Sequence, residues 1–149
     1  MTLLATINRR MKASWAVGVL LVLVFCSYAQ APQTIHLTVN YNDGIEKRFT
    51  LPFKQGMTVF DAMTEATATQ HGLAFACDPK YPCNGSPNNG FLTSIDDVKG
   101  QGSSKYWALF VNDIYADKGF GTCKLHPNDE VVWKFGSTNE TAGTVTVCG

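Results

Sequence analysis

The sequence predicts an α+β fold, in which a small β-grasp-like mixed sheet has one helix packed across it and is held by two disulfides. Two alternating apolar segments come first, a single amphipathic helical segment follows, and three or four strand-like segments come after it. Four cysteines lie within this part of the chain. Because no internal repeat or long linker interrupts the order, we expect residues 30–149 to form one domain.

Residues 1–29 differ in composition and are predicted to be a secretory signal peptide. Basic residues precede an apolar run over 13–26, and the small residues Ser27 and Ala29 place the cleavage site after Ala29. A start at the second methionine gives the same leader. A cut after Ala31 is disfavoured because Pro32 would follow it. A membrane anchor is disfavoured because the run is shorter than the about 20 residues that span a bilayer. We therefore expect a secreted, extracellular protein with no membrane segment after cleavage.

The charge balance excludes some classes of partner. The whole chain has 12 Lys+Arg and 12 Asp+Glu, and removal of the leader takes away basic residues only, which leaves the secreted part mildly acidic. Binding to nucleic acid needs a clearly basic surface, so we expect no nucleic-acid partner. Hydrophobic residues make up 45% of the chain, which is enough to build a core.

The first elements are predicted to form a β-hairpin. Residues 35–41 alternate between apolar and polar side chains, as a half-buried strand does. The tight-turn sequence Asn42-Asp43-Gly44 follows, and residues 45–51 continue the alternation. Lys47 interrupts the apolar face of the second segment.

A helix is predicted next. Thr58 and Asp61 have the spacing of a capping box, and Val59, Met63 and Ala66 then recur on one helical face. We expect three to four turns that end near Gly72.

The rest of the chain is predicted to be strands separated by loops. An irregular loop is expected over 76–90, strands over 91–95, 106–111 and 131–135, and a last edge strand over 144–147. The segment 106–111 is the most apolar after the leader, so we expect it in the middle of the sheet.

The cysteines that remain after the leader predict two disulfides, since an even number in a short secreted chain is typical of a disulfide framework. These cysteines are Cys77, Cys83, Cys123 and Cys148. The sequence favours Cys77–Cys83 with Cys123–Cys148, and the main rival is Cys77–Cys123 with Cys83–Cys148. The spacing between Cys77 and Cys83 does not match a zinc knuckle, so we expect no metal.

No motif predicts catalysis. His36, His71 and His126 lie far apart, without metal-ligand spacing. The sequence has no Gly-x-Ser-x-Gly elbow and no phosphate-binding loop, and neighbouring Asp96 and Asp97 are expected to form a turn. Four paired cysteines leave no catalytic thiol. The protein is therefore expected not to be an enzyme and to use no cofactor.

One modification is predicted. Asn139-Glu140-Thr141 is an N-x-Thr acceptor in a polar segment, so we expect Asn139 to be glycosylated in the secretory pathway. The acceptor at Asn84 is expected to be poorly used, because Pro87 follows it.

Aromatic side chains are concentrated in the C-terminal half. They are Phe91, Tyr106, Trp107, Phe110, Tyr115, Phe120, Trp133 and Phe135. Alternation along 106–111 places Trp107 and Leu109 on one face of the strand and Tyr106 and Phe110 on the other. We expect one face to cover the helix and the Trp107 face to be open for a ligand or partner. Trp107→Ala is then expected to weaken binding more than folding.

Four segments resemble a known family. Gly-Met-Thr-Val-Phe-Asp-Ala-Met over 56–63, Gly-Phe-Leu-Thr-Ser-Ile over 90–95, Tyr-Trp-Ala-Leu-Phe-Val-Asn over 106–112 and Asp-Glu-Val-Val-Trp-Lys-Phe over 129–135 are similar to the C-terminal β domain of transcobalamin and intrinsic factor. The same pattern occurs in stand-alone secreted domains known as DUF4430.

The resemblance implies a ligand and its contacts. In the cobalamin carriers, the corrinoid lies between a helical barrel and this β domain. The resemblance implies Leu109 and Ala116 as contacts, with Trp107 and Tyr115 shaping the same face. No helical barrel is predicted in this sequence, and Ala108 stands where the carriers commonly have Gln. The function expected is a binding module for cobalamin or a related corrinoid. The alternative is an extracellular protein-interaction or adhesion module with no small-molecule ligand.

Overall fold

The elements of the fold are mostly strands. A computed structural model describes residues 31–69, 72–83, 91–137 and 146–149. In chain order the elements are β1 (Thr34–Asn40), β2 (Glu46–Pro52), α1 (Val59–Thr67), β3 (Phe75–Cys77), β4 (Leu92–Ile95), β5 (Val98–Lys99), β6 (Tyr106–Val111), β7 (Ile114–Tyr115) and β8 (Glu130–Gly136). The described part of the chain is therefore sheet-rich, with a single helix.

The predicted hairpin is present. β1 and β2 pair antiparallel from Thr34 opposite Pro52 to Asn40 opposite Glu46. Asn42 and Gly44 in the connection have φ of 64° and 86°. Asn and Gly tolerate this left-handed region, and the tight turn needs it.

α1 begins as predicted and ends early. The Thr58 side chain accepts a hydrogen bond from the Asp61 backbone N–H at 3.2 Å, and the Asp61 carboxylate accepts one from the Thr58 N–H at 2.8 Å. The helix ends at Thr67 with Ala68 as its C-cap, so it is shorter than the predicted three to four turns, and Gly72 is not its stop. Hydroxyl groups of Thr67 and Thr69 donate to the carbonyls of the last turn. Such bonds compete with helix continuation.

Two sheets organise the strands. The larger has the order β2-β1-β8-β6-β7, and the smaller has the order β3-β4-β5. β1 and β8 pair parallel, whereas the other pairs in the larger sheet are antiparallel, so this sheet is mixed. β6 lies inside the sheet, as its apolar sequence predicts.

Three short strands were not predicted. β3 pairs with β4 at the start of what was expected to be an irregular loop, and β5 pairs with the other side of β4. β7 returns along β6 after a two-residue turn at Asn112 and Asp113, whose φ values are 52° and 63°. Strands of two or three residues are too short to show a period in the sequence.

The core lies between one face of the larger sheet and α1. The helix contributes Val59, Ala62, Met63 and Ala66. The sheet contributes Ile35, Leu37, Val39, Leu51, Val131 and Trp133. Residues opposite each other across paired strands share a face, so β6 presents Trp107, Leu109 and Val111 to this same side.

The cysteines lie in two pairs at disulfide distance. The structure pairs Cys77 with Cys83 and Cys123 with Cys148, which is the pairing that the sequence favours. The first pair closes a short loop after β3. The second ties residues 146–149 to the segment before β8.

Some predicted features fall wholly or partly outside the described residues. Asn139, Asn84, His71 and residues 144–145 are among them. Thr146 and Val147 are described and are not in a strand, so the predicted edge strand over 144–147 is wrong for these two residues. None of the described helices is long and apolar enough to cross a membrane.

Candidate functional site

A cavity of about 630 Å³ lies at one end of the larger sheet. It opens between β4, β6 and the loop that follows β7. Its walls are formed by Phe91, Leu92, Gly102, Ser103, Tyr106, Trp107, Leu109, Tyr115, Ala116, Asp117, Lys118, Gly119, Phe120 and Trp133. Ligand pockets have volumes of roughly 300–1,000 Å³, so the cavity is large enough for a small molecule.

The four residues that were expected to contact a ligand all line this cavity: Trp107, Leu109, Tyr115 and Ala116. The first two are adjacent on one face of β6 because they are two residues apart on a strand. The tight turn after β6 brings the chain back beside it, and the Ala116 N–H donates to the Leu109 carbonyl at 2.9 Å. All four residues thus reach the cavity, although Tyr115 lies opposite Phe110, on the other face of the sheet from Trp107 and Leu109.

The predicted open face for Trp107 is wrong. Trp107 lies opposite Phe135 and Leu109 lies opposite Trp133, on the side of the sheet where the helix packs. Trp107 and Leu109 are each only 7% exposed. The register with β8 fixes this, because Val131 and Trp133 must face the core. The cavity therefore lies on the covered side, where β4 and the loop after β7 surround it.

The opposite face of β6 is not an open aromatic surface either. Phe110 is buried, with the ring of Tyr115 edge-on at 5.5 Å. The Lys134 ammonium lies over the same ring, 4.1 Å from its centroid. These neighbours cover Phe110 on the face that the helix leaves free.

Trp107 is held by three neighbours. Its indole N–H donates to the Val98 carbonyl of β5 at 3.0 Å. Its ring lies 5.5 Å from that of Tyr41, in an edge-on arrangement, and 5.0 Å from that of Phe135. The indole is therefore held between the two sheets, and these contacts fix its position in the cavity wall.

A partly buried polar cluster lies next to Tyr41. The Tyr41 hydroxyl donates to the Asp96 carboxylate, and the Lys47 ammonium lies 2.8 Å from the same carboxylate oxygen. The Ala74 N–H donates to the other oxygen at 3.0 Å. Lys47, which interrupts the apolar face of β2, is thus accounted for by an ion pair that links the hairpin to the turn between β4 and β5.

This cluster shifts the pKa of both acids. Burial, followed by the contact with the Asp96 carboxylate, raises the pKa of Tyr41 far above its usual value. Burial alone raises the pKa of Asp96, but the hydrogen bonds from Lys47, Tyr41 and Ala74 outweigh it, so the pKa of Asp96 is lowered. At neutral pH the cluster is therefore a carboxylate held by an ammonium and a neutral phenol.

Trp133 and Phe120 form an inner, aromatic part of the wall. Their ring centroids are 5.6 Å apart, in an edge-on arrangement. Within the described residues, the buried indole N–H of Trp133 has no hydrogen-bond partner. That atom is sealed from solvent, so the cavity presents the Trp133 ring rather than its donor group.

The polar part of the wall is formed by Asp117 and Lys118. The Asp117 carboxylate accepts hydrogen bonds from the N–H groups of Val147 and Cys148, both at 3.1 Å. Desolvation raises the pKa of Asp117, but these backbone N–H groups and Lys118 lower it further than burial raises it. The Lys118 ammonium donates to the Cys148 carbonyl at 2.9 Å.

Several wall residues have no feature in the sequence that assigns them to a ligand site, among them Leu92, Asp117, Lys118 and Phe120. Phe120 and Trp133 were noted as part of the aromatic cluster, which was the only signal for them. Asp117 and Lys118 belong to no sequence motif, because the backbone groups that they bind lie about thirty residues later in the sequence.

The His, Cys, Asp and Glu side chains are dispersed over the described part of the chain. Residues 31–69, 72–83, 91–137 and 146–149 contain no group of three His, Cys, Asp or Glu that could hold a metal ion. His36 and His126 are exposed and lie at separate places, on β1 and in the turn before β8.

Comparisons with known proteins give one family match. The family profile described as a domain of unknown function, DUF4430, matches residues 56–137. Fourteen chains of solved structures match the chain. One of them is a candidate metal-binding protein from Ruminococcus gnavus ATCC 29149, 13% identical, covering 71% of this chain and 98% of its own, with a TM-score of 0.48. No curated protein matches.

Proposed function

We propose that this chain, which belongs to the DUF4430 family of domains of unknown function, is a secreted, non-enzymatic binding module for cobalamin or a related corrinoid. The ligand site is the cavity beside β6. The protein uses no cofactor of its own, and after cleavage of the leader it is extracellular and glycosylated at Asn139.

One observation carries the proposal. The residues that resemblance to the cobalamin carriers implies as contacts and neighbours, Trp107, Leu109, Tyr115 and Ala116, converge on a single cavity. The lining is largely aromatic and aliphatic, which suits a large ring system with apolar faces.

The proposal also covers the fold. We propose that the larger sheet with α1 across one face is a variant of the β-grasp arrangement, as in the β domain of transcobalamin and intrinsic factor. The parallel pairing of β1 with β8 and the position of α1 over that sheet support this assignment.

The affinity is expected to be modest. The cavity is open on one side and would cover only part of a flat corrinoid, whereas pockets that bind tightly bury most of the ligand surface. A second protein surface on the other side of the ligand would strengthen binding.

The test is a cobalamin titration of the purified secreted form. The mature chain has two tryptophans, Trp107 and Trp133, and both line the cavity. Binding should therefore quench the intrinsic fluorescence and shift the corrin absorbance. Ala116→Leu should abolish both changes, because the larger side chain fills the cavity. Ala76→Leu, at an exposed position on β3, is the matched control and should bind as wild type does.

The protein-interaction module is the second candidate function. Phe91, at the mouth of the cavity, is 61% exposed, and it lies beside the apolar lining of the cavity. A partner protein that covers Phe91 would account for that exposure. No spectroscopic change at high micromolar cobalamin in the wild type would refute the corrinoid proposal and favour this candidate.

A further inference from the structure

We propose that residues 146–149 form a strap that holds the outer wall of the cavity, residues 116–120, in its binding position, and that Asp117 is the positioning residue through which the strap acts. The inference rests on the proposed function only for its relevance to a ligand, because the strap and the wall are defined by contacts within the protein.

Two neighbouring wall residues hold the strap by its backbone. Asp117 accepts hydrogen bonds from two successive N–H groups, those of Val147 and Cys148. Lys118 donates to the carbonyls of Cys148 and Gly149, at 2.9 and 3.4 Å. The carboxylate thus binds backbone donors, while the ammonium binds backbone acceptors on the same short segment. Hydrogen bonds that involve a charged group are stronger than neutral ones.

A covalent bond fastens the strap next to the wall. Cys148 is paired with Cys123, which follows the wall after Gly121 and Thr122, and both side chains are buried. The Gly149 N–H also donates to the Lys124 carbonyl at 3.2 Å. The strap is therefore attached to the segment after the wall as well as to the wall itself.

The ends of the wall are anchored to the two main layers of the fold. At one end, the Ala116 N–H donates to the Leu109 carbonyl of β6 at 2.9 Å. At the other end, the Phe120 carbonyl accepts from the Phe60 N–H of α1 at 3.1 Å. Asp117 and Lys118 lie between these anchors, and it is at this point that the strap contacts the wall. The strap thus fixes the middle of a segment whose ends are already held.

The arrangement gives Asp117 a role that does not require contact with a ligand. Removal of its carboxylate would free two backbone N–H groups of the strap and loosen the wall, while the sheet and the helix keep their own contacts. The cavity would then lose its defined shape without loss of the fold.

Hydrogen exchange measured by mass spectrometry tests the proposal on the full secreted chain without ligand. In Asp117→Ala, exchange over 116–120 should accelerate about tenfold at Ala116, whose N–H is bonded to the Leu109 carbonyl, as it does when a local opening breaks such a bond. Acrylamide should also quench the tryptophan fluorescence more strongly. Asp117→Asn keeps an oxygen that accepts hydrogen bonds and should restore most of the protection. Asp97→Ala removes an exposed acidic side chain away from the cavity and should behave as wild type.

A second variant keeps the test decisive if Asp117→Ala fails to fold. Lys118→Met removes the contacts to Cys148 and Gly149 and should also accelerate exchange over 116–120. Wild-type exchange over 116–120 in a folded Asp117→Ala or Lys118→Met protein overturns the proposal, whether or not the strap itself is released. These measurements use no cobalamin, so failure of the cobalamin titration would leave the result for the strap unaffected.

Discussion

At the scale of single residues, Trp107 shows what alternation can and cannot predict. Both faces of 106–111 are apolar, so the sequence separates the residues into two sets without saying which set faces the helix. The register with β8 decides it, and β8 alternates clearly between buried and less buried residues. The sequence could thus predict which site residues share a face of β6. It could not predict which face packs against the helix, because that depends on the pairing of two strands distant in the sequence.

Trp107→Ala is now expected to destabilise the fold. The ring packs on Tyr41 and Phe135, and its N–H is bonded to Val98, so truncation should lower the free energy of unfolding by about 3–5 kcal/mol. Urea denaturation followed by circular dichroism measures the loss. Phe91→Ala, at an exposed aromatic, should change it by less than about 0.5 kcal/mol. A loss below about 1 kcal/mol for Trp107→Ala, combined with weakened ligand binding, would restore the open-face interpretation.

At the scale of elements, local signals predicted the longer elements and missed the shortest ones. The hairpin, the start of α1, and the strands β4, β6 and β8 have turns, caps or alternation that are visible in the sequence. β3, β5 and β7 are defined by pairing with a neighbour rather than by their own residues. The early end of α1 was not predicted either, because Gly72 is a stronger helix-termination signal in the sequence than the threonines that precede it.

The contribution of the α1 capping box to stability can be tested by substitution of Thr58. Thr58→Ala removes the side chain that accepts from the Asp61 N–H, and should cost about 1 kcal/mol of stability, the usual value for a lost N-cap. Thr58→Ser keeps the hydroxyl and should cost little. Thermal unfolding of the two variants beside wild type provides the comparison, and equal melting temperatures for Thr58→Ala and wild type would contradict a role for the cap in stability.

At the scale of the whole molecule, the two sheets are connected through Asp96. This residue lies in the turn between β4 and β5 of the smaller sheet, and it binds Tyr41 and Lys47 of the hairpin in the larger one. Nothing in the sequence indicated this connection, since Asp96 appeared only as half of an acidic pair in a turn.

The connection predicts a dependence of stability on pH. The folded state lowers the pKa of Asp96 below its unfolded value of about 3.9. The stabilisation by the Asp96 charge is therefore present above about pH 4. It is lost as the pH falls through the lower pKa that Asp96 has in the folded state. Asp96→Asn should lower the free energy of unfolding by about 1 kcal/mol at pH 7, since partly exposed ion pairs contribute modestly.

The difference between wild type and Asp96→Asn should shrink as the pH is lowered from 5 to 2, which urea denaturation at each pH can follow. Asp117 also has a lowered pKa, so the absolute stability of both proteins falls with acid, and the comparison isolates Asp96. Asp97→Asn provides a control at the neighbouring carboxylate. A difference that stays constant down to pH 2 would mean that the Asp96 charge does not stabilise the connection.

The parallel pairing of β1 with β8 has a consequence for the order of events during synthesis. Among the described strands, the first and the last, β1 and β8, lie side by side in the larger sheet, with His36 opposite Glu130. The hairpin leaves the ribosome well before its inner neighbour β8 is made. An isolated two-stranded hairpin is marginally stable in water, and closing so long a loop delays folding. The nascent chain should therefore stay largely unfolded until β8 has been made, the state in which polypeptides can still be threaded through a narrow pore.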